Sequence, residues 1–426
     1  MKVFFRNIHL YLSLACGLVI AIVCFTGAVL VFEKEFGQLL YPERYRVAAG
    51  GERVPLGQAV AAVAQKEAGA RVSAVKIYTD PARTVEISYR KEDGQTKEGR
   101  GEAGEKGAEN REGRRGPEAG AGKSAGEPGG KGGPPRGGEG GKGGGSQAYV
   151  NPYTGQVVAW QSQRSPFFFT MFSLHRWLLA GDPGKLIVGV STSVFLFILL
   201  TGIVLWWPQN KKILRQRLRL KLDGGWKRLN HDLHIVVGFY AAIFLFAFAF
   251  TGLAWSFQWF NDGIYWITGT ENVRPEPPLS TPRDGAAAVT LDQVFAAARR
   301  ESPGAEFYNI QPPKDSAGAF SVVLMPHGAA HERASDQLFF DQYTGALIGK
   351  TLFTEKNLGQ RVRATFYPVH VGSIAGLPGR IVAFLACVAG VTFPVTGVIL
   401  WLNRLKKNAR RDAKGKPREM ILDRRY

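Results

Sequence analysis

Seven histidines stand in the 426-residue chain, and four of them keep a fixed distance from a Thr-Gly pair. His9 precedes Thr26-Gly27 by 17 residues, and His234 precedes Thr251-Gly252 by the same 17. His175 precedes Thr201-Gly202 by 26 residues, as His370 precedes Thr396-Gly397. Neutral imidazole is the commonest metal ligand among side chains, and a haem iron with two axial imidazoles takes one from each face. Two histidines at equivalent positions about a two-fold axis can therefore hold one haem between them. The register predicts two haems, one held by His9 and His234 and the other by His175 and His370. A packing role at a lipid interface is the competing expectation for any single histidine, and the matched register of two pairs disfavours it.

The remaining histidines fit this pattern less well. His231 lies about one helical turn before His234 and is the alternative ligand, but its counterpart in the first apolar run is Arg6, which favours His234. His327 and His331 stand in a Gly-rich loop without a counterpart and are expected at the surface, with binding of an iron complex as their alternative role. Lys185 and Arg380 each follow a Pro-Gly pair at the start of an apolar run. There they can meet haem propionates or reach water as interface cations. The Thr-Gly pairs themselves are expected to serve helix packing, because a small residue lets neighbouring helices approach.

Cys16, Cys24 and Cys387 all lie inside apolar runs, which excludes a disulfide framework and a CxxC metal or redox pair. Outside the Gly-rich stretch at 97–146, no GxGxxG motif stands to mark a nucleotide-binding domain. Electrons for a haem would have to come from quinol or from a separate reductase. No acid or base side chain is needed for electron carriage, so no catalytic residue is assigned.

The elements that must position the histidines are four apolar runs at residues 10–32, 186–207, 230–252 and 381–402. Each has the roughly 20 residues that a helix needs to span the hydrocarbon core. The layout is a first spanning helix at 1–33, a soluble segment at 41–160 and a histidine segment with the second helix at 167–208. A basic loop at 209–229, the third helix at 230–257, a second soluble segment at 258–365, a histidine segment with the fourth helix at 366–403 and a basic tail at 404–426 complete it. The first run is read as a retained helix, since it exceeds the apolar core of a cleaved leader and ends without an A-x-A site.

The net charge of +19 gathers beside the apolar runs, with eight cations between Lys211 and Arg228. That placement reads as membrane orientation and excludes nucleic acid as the partner it would otherwise suggest. Both termini are expected in the cytoplasm and both soluble segments outside it. Each soluble segment reads as a helix followed by hairpins, with turns at Tyr153-Thr154-Gly155 and Tyr343-Thr344-Gly345. Residues 97–146, rich in Gly, Pro, Glu and Lys, read as a disordered insertion and a solvated spacer. The chain is thus expected to be a duplication, with two parallel halves related by an axis along the membrane normal.

The runs IHLYLSLACGLVIAIVCFTGAVLVFEKE, LHRWLLAG and LTGIVLWWP, together with the two YTG turns, resemble the PepSY-associated transmembrane proteins. The likeness covers the chain outside the insertion. It implies a membrane α-helical fold of four helices in the bacterial inner membrane, with two small α+β PepSY-like domains in the periplasm. In the iron-regulated and siderophore-reductase members it implies two b-type haems, with helix-end histidines matching His9, His175, His234 and His370. The pattern departs from the family where Val371-Gly372 stands in place of Arg-Trp after the second outer histidine.

These readings lead to one expectation: a transmembrane electron carrier, embedded in lipid, that reduces a periplasmic ferric siderophore or other ferric chelate and releases Fe(II). The alternative is a haem-free membrane anchor whose PepSY-like domains bind peptides or envelope proteins.

Overall fold

The computed structural model describes residues 2–91, 146–161, 164–273, 275–283 and 285–412. The expected insertion at 97–146 lies outside the described residues except for Ser146, as does the basic tail from residue 413.

Among the described residues, four helices are long and apolar enough to cross a membrane: Lys2–Val31, Gly181–Trp206, Gly225–Ser256 and Ser373–Arg411. A helix that is apolar nearly all round buries part of its surface on neighbours and presents the rest to lipid. Leu18, Phe197, Ile243 and Leu385 are exposed on the lipid-facing sides, while Ile20, Phe195, Leu245 and Ala386 meet in the bundle core. The protein is a membrane protein in contact with lipid.

In chain order, α1 (Lys2–Val31), α2 (Glu33–Leu40), α3 (Pro42–Tyr45) and α4 (Leu56–Lys66) lead into β1 (Ala70–Tyr78) and β2 (Val85–Lys91). Next come β3 (Ser146–Val150), β4 (Val157–Gln161), α5 (Pro166–Trp177) and α6 (Gly181–Trp206). The basic loop carries α7 (Lys211–Arg217). The third span consists of α8 (Gly225–Asp232), a π-helical turn at Leu233–Val237 and α9 (Gly238–Ser256). After α10 (Gln258–Ile267) and α11 (Leu291–Glu301) follow β5 (Phe307–Gln311), β6 (Phe320–Met325), β7 (Asp336–Phe340) and β8 (Leu347–Thr351). The last described elements are α12 (Leu358–His370) and α13 (Gly376–Asp412).

Where the sequence suggests two separate soluble domains, the strands form one antiparallel sheet in the order β4-β3-β2-β1-β5-β6-β7-β8. The seam is β1 on β5, with Val75 opposite Ile310 and Ile77 opposite Tyr308. The physical reason is that each four-stranded half would leave a buried apolar strand with an unpaired edge, and pairing the two edges satisfies both. One layer of side chains from α4 and α11, including Val63 and Val294, covers the joined sheet. Asp292 of α11 accepts the Leu56 backbone N–H at 2.8 Å and so caps α4 across the seam.

The two YTG turns form as the sequence suggests, with Gly155 at φ +70° and Gly345 at φ +67°, a region that a side chain disfavours. Asn151 in the first turn and Asp341 in the second accept the backbone N–H groups of the residues two and three positions on.

Two helices not expected from the sequence carry His175 and His370. α5 opens at Pro166 and ends through Leu178 and Leu179, both at positive φ. α12 opens on an Asn357–Gln360 capping box. Each then turns sharply into a spanning helix. Gly184 in the first turn of α6 sits so close to the end of α5 that a Cβ there would lie 1.8 Å from the Trp177 carbonyl oxygen. A Cβ on Gly379 of α13 would lie 2.2 Å from the Gly372 carbonyl oxygen. The Pro-Gly pairs therefore set how tightly each histidine-bearing helix folds back against the span that follows it.

Candidate functional site

The four register-matched histidines meet as two pairs. His9 on α1 and His234 in the π-helical turn have ring centroids 6.4 Å apart, with planes at 89°. His175 on α5 and His370 on α12 stand 6.0 Å apart, with planes at 70°. Two imidazoles bound trans to one metal, with each nitrogen about 2 Å from it, would put their centroids about 6 Å apart.

Each imidazole is seated by a Thr-Gly pair of a neighbouring helix. Thr201 Oγ1 lies 3.0 Å from His9 Nδ1, and Thr26 Oγ1 lies 3.1 Å from His175 Nδ1. Thr396 Oγ1 is 2.9 Å from His234 Nδ1, and Thr251 Oγ1 is 3.2 Å from His370 Nδ1. The adjoining glycines admit the rings: a Cβ on Gly27 or Gly202 would stand 3.3 Å from the histidine Cε1, and one on Gly252 or Gly397 would stand 3.2 Å from it. Sequence reasoning assigned these pairs to packing alone. The signal was present in the constant 17- and 26-residue offsets, which keep each Thr-Gly pair level with the histidine of the adjacent helix.

The His175–His370 pair lines a cavity of about 490 Å³, within the range of small-molecule and cofactor sites. Its walls are mainly apolar, among them Val23, Phe195, Leu245 and Phe248. Trp255 packs on His370 at 5.3 Å between centroids.

The family model for the PepSY-associated TM region matches residues 6–404. The chain belongs to the PepSY-associated transmembrane family. An uncharacterized protein of Pseudomonas aeruginosa is 23% identical over 256 residues, covering 56% of this chain and 64% of that relative. The match thus spans less than two thirds of the relative's length.

In this family member the cations that line the cavity at His175 and His370 are Arg164 and Arg176. Arg164 forms a two-pronged ion pair with Glu33 and stacks at 4.5 Å over Phe172. Lys185 and Arg380, which the sequence suggested for that role, are placed elsewhere. Lys185 is half-buried in the first turn of α6, outside the cavity lining. Arg380 pairs with Glu35 and lines a second cavity of about 560 Å³. The two cavities share Leu30, Val31, Glu33, Tyr367 and Val371. Arg164 and Arg176 escaped the sequence reading because neither has a matched cation in the other half: Val371 occupies the position of Arg176.

His231 turns from the His9–His234 pair to Asp232, with Nδ1 3.0 Å from Oδ1. Asp232 has a fully buried carboxylate that also accepts from Arg228 and from the Lys221 backbone. His327 is exposed. His331 packs on Phe353, and its Nδ1 accepts from the Arg333 backbone N–H at 3.2 Å. Burial lowers the pKa of the His331 imidazole from its ordinary value, against a smaller opposing pull from Glu332. Among the described residues, no group of three or more His, Cys, Asp or Glu side chains converges to hold a bare metal ion.

Proposed function

We propose that the protein is a di-haem b electron carrier of the bacterial inner membrane that reduces a periplasmic ferric complex, a ferric siderophore or another ferric chelate, and releases Fe(II). The observation that carries this reading is the pairing of His9 with His234 and of His175 with His370 at the separation a trans bis-imidazole centre requires. Two imidazoles alone do not complete the coordination of a metal ion. A group that brings its own equatorial donors, as porphyrin does, needs only those two.

The cavity at His175 and His370 fits such a group in size and in its apolar walls, and Arg164 and Arg176, which line it, would pair with its carboxylates. His175 and His370 would hold the outer haem, and His9 and His234 the inner one. Haem supplies a one-electron Fe(III)/Fe(II) couple. The protein's own residues would fix the spacing of the two groups, and an imidazole from each histidine of a pair would leave no open site for oxygen. The second cavity, rimmed by Tyr41, Arg44, Phe168 and Arg380 and sharing a wall with the first, is the approach for the ferric acceptor.

In this reading the two halves are parallel repeats, their soluble segments lie in the periplasm and both termini are cytoplasmic. The cationic loop at 209–229 supports that orientation. Quinol or a separate reductase supplies electrons to the inner haem. A direct test reconstitutes the full chain in sealed liposomes with a membrane-impermeant reductant inside and a ferric chelate outside. Fe(II) appearing outside, dependent on both histidine pairs, is the expected result. Its absence with haem-loaded, oriented protein would defeat the proposal.

A further inference from the structure

The four Thr-Gly seats carry more than packing. Each threonine hydroxyl spends its hydrogen on its own helix: Thr26 donates to the Ile22 carbonyl at 2.7 Å, and Thr201 to that of Phe197 at 2.9 Å. Thr251 donates to the Ala247 carbonyl at 2.7 Å, and Thr396 to that of Thr392 at 2.9 Å. Such back-bonding is common for threonine in membrane helices, but here it leaves every Oγ1 as an acceptor facing a histidine. At three of the seats a backbone carbonyl, which can only accept, stands beside the same nitrogen. His9 Nδ1 is 3.1 Å from the Ile198 oxygen, His175 Nδ1 is 3.0 Å from that of Val23, and His370 Nδ1 is 2.8 Å from that of Phe248. At those three seats Nδ1 must therefore carry the proton, and the lone pair is left on Nε2; His234 faces Thr396 Oγ1, whose hydrogen is already spent on its own helix.

We propose that Thr26, Thr201, Thr251 and Thr396, with their glycines, are positioning residues that fix the ligand tautomer and tune the potential of each haem separately. This rests on the di-haem reading. An acceptor on Nδ1–H pushes electron density toward Nε2 and strengthens it as a donor. A stronger donor favours the more highly charged Fe(III) state and lowers the potential. The seats are reciprocal within each half: α1 seats the histidine of α5 and α6 seats that of α1, while the third span seats the histidine of α12 and α13 seats that of the third span. The histidine pairs, in contrast, run between the halves. Each half therefore presents one finished ligand to each site, and a change at one seat stays local.

The test is a redox titration, with low-temperature electron paramagnetic resonance, of the purified full-length protein. Thr26→Val or Thr251→Val is expected to raise the midpoint potential and change the g-values of the outer haem alone. Thr201→Val or Thr396→Val should do so for the inner haem alone, with Thr→Ser restoring the parent values at each site. Haem loss in a Val variant that Ser rescues also supports the proposal. Unchanged potentials and g-values in all four Val variants overturn it, as does equal haem loss from Val and Ser variants. A wild-type chain that binds no haem defeats the di-haem reading itself. Nitrogen-15 shifts of labelled histidine in that chain then decide the tautomer, and a mixture in place of Nδ1–H overturns the seat as well.

Discussion

Replacing Gly184 with alanine tests whether the fold-back of α5 onto α6 places the outer ligand. On helix propensity alone the change would stabilise α6 by about 1 kcal/mol. The new Cβ, however, would sit 1.8 Å from the Trp177 carbonyl oxygen, where an ordinary C···O contact is about 3.3 Å. The end of α5 must therefore retreat by more than the slack in the 3.1 Å contact between His175 and Thr26. Overpacking of this kind costs about 1–3 kcal/mol, small enough for the four-helix bundle to survive. The expected outcome is a folded, membrane-inserted protein whose haem-to-protein ratio falls from two to one, with the inner haem retained. Gly379→Ala should do the same through His370, since its Cβ would stand 2.2 Å from the Gly372 oxygen. Size-exclusion chromatography in detergent with haem quantitation reads both quantities. Two haems retained in both variants would refute the link between these glycines and the outer site.

Further perturbations separate the residues that sequence and geometry favour. His234→Ala is expected to remove the inner haem, while His231→Gln leaves it in place and loosens only the Asp232 cluster, as absorbance and thermal melting would show. Arg176→Gln should weaken outer haem retention in a competition with apo-myoglobin, whereas Lys185→Gln should leave it unchanged. Asp341 is 6% exposed. Burial pushes its pKa up, but backbone N–H groups of Thr344, Tyr343 and Thr281 and the Thr344 hydroxyl outweigh that and hold it below the ordinary 3.8. A depressed carboxylate stabilises the folded state above its unfolded pKa and loses that contribution as pH falls through the lower folded value. Asp341→Asn should therefore flatten the acid limb of stability against pH. Asp341→Ala, which orphans those donors, should cost about 1–3 kcal/mol at neutral pH.

Much of the site was legible because membrane helices preserve register: a histidine 17 or 26 residues from a Thr-Gly pair keeps its height in the bilayer. The spans, the YTG turns and the α4 and α11 helices were legible for the same kind of reason, from apolar length, turn chemistry and amphipathic period. The seam between β1 and β5 was not, because edge pairing between distant strands leaves no local mark beyond two apolar strands. The segments PFFFTMFSLHRW and LGQRVRATFYPVH hid their helices because aromatic and β-branched residues blur the 3.6-residue period and Pro368 interrupts the second. The π-helical turn around His234 was invisible to any period-based reading, and such turns often mark functional residues, which agrees with the ligand role proposed for His234. Arg164 and Arg176 were missed because a search guided by symmetry finds only what both halves share.

The most direct measurement is the dithionite-reduced minus oxidised absorbance spectrum of the purified chain, expressed with adequate haem supply and quantified against protein. A di-haem carrier gives b-type bands at two haems per chain, falling to one in His175→Ala and to one in His9→Ala. A spectrum without b-type bands would contradict it.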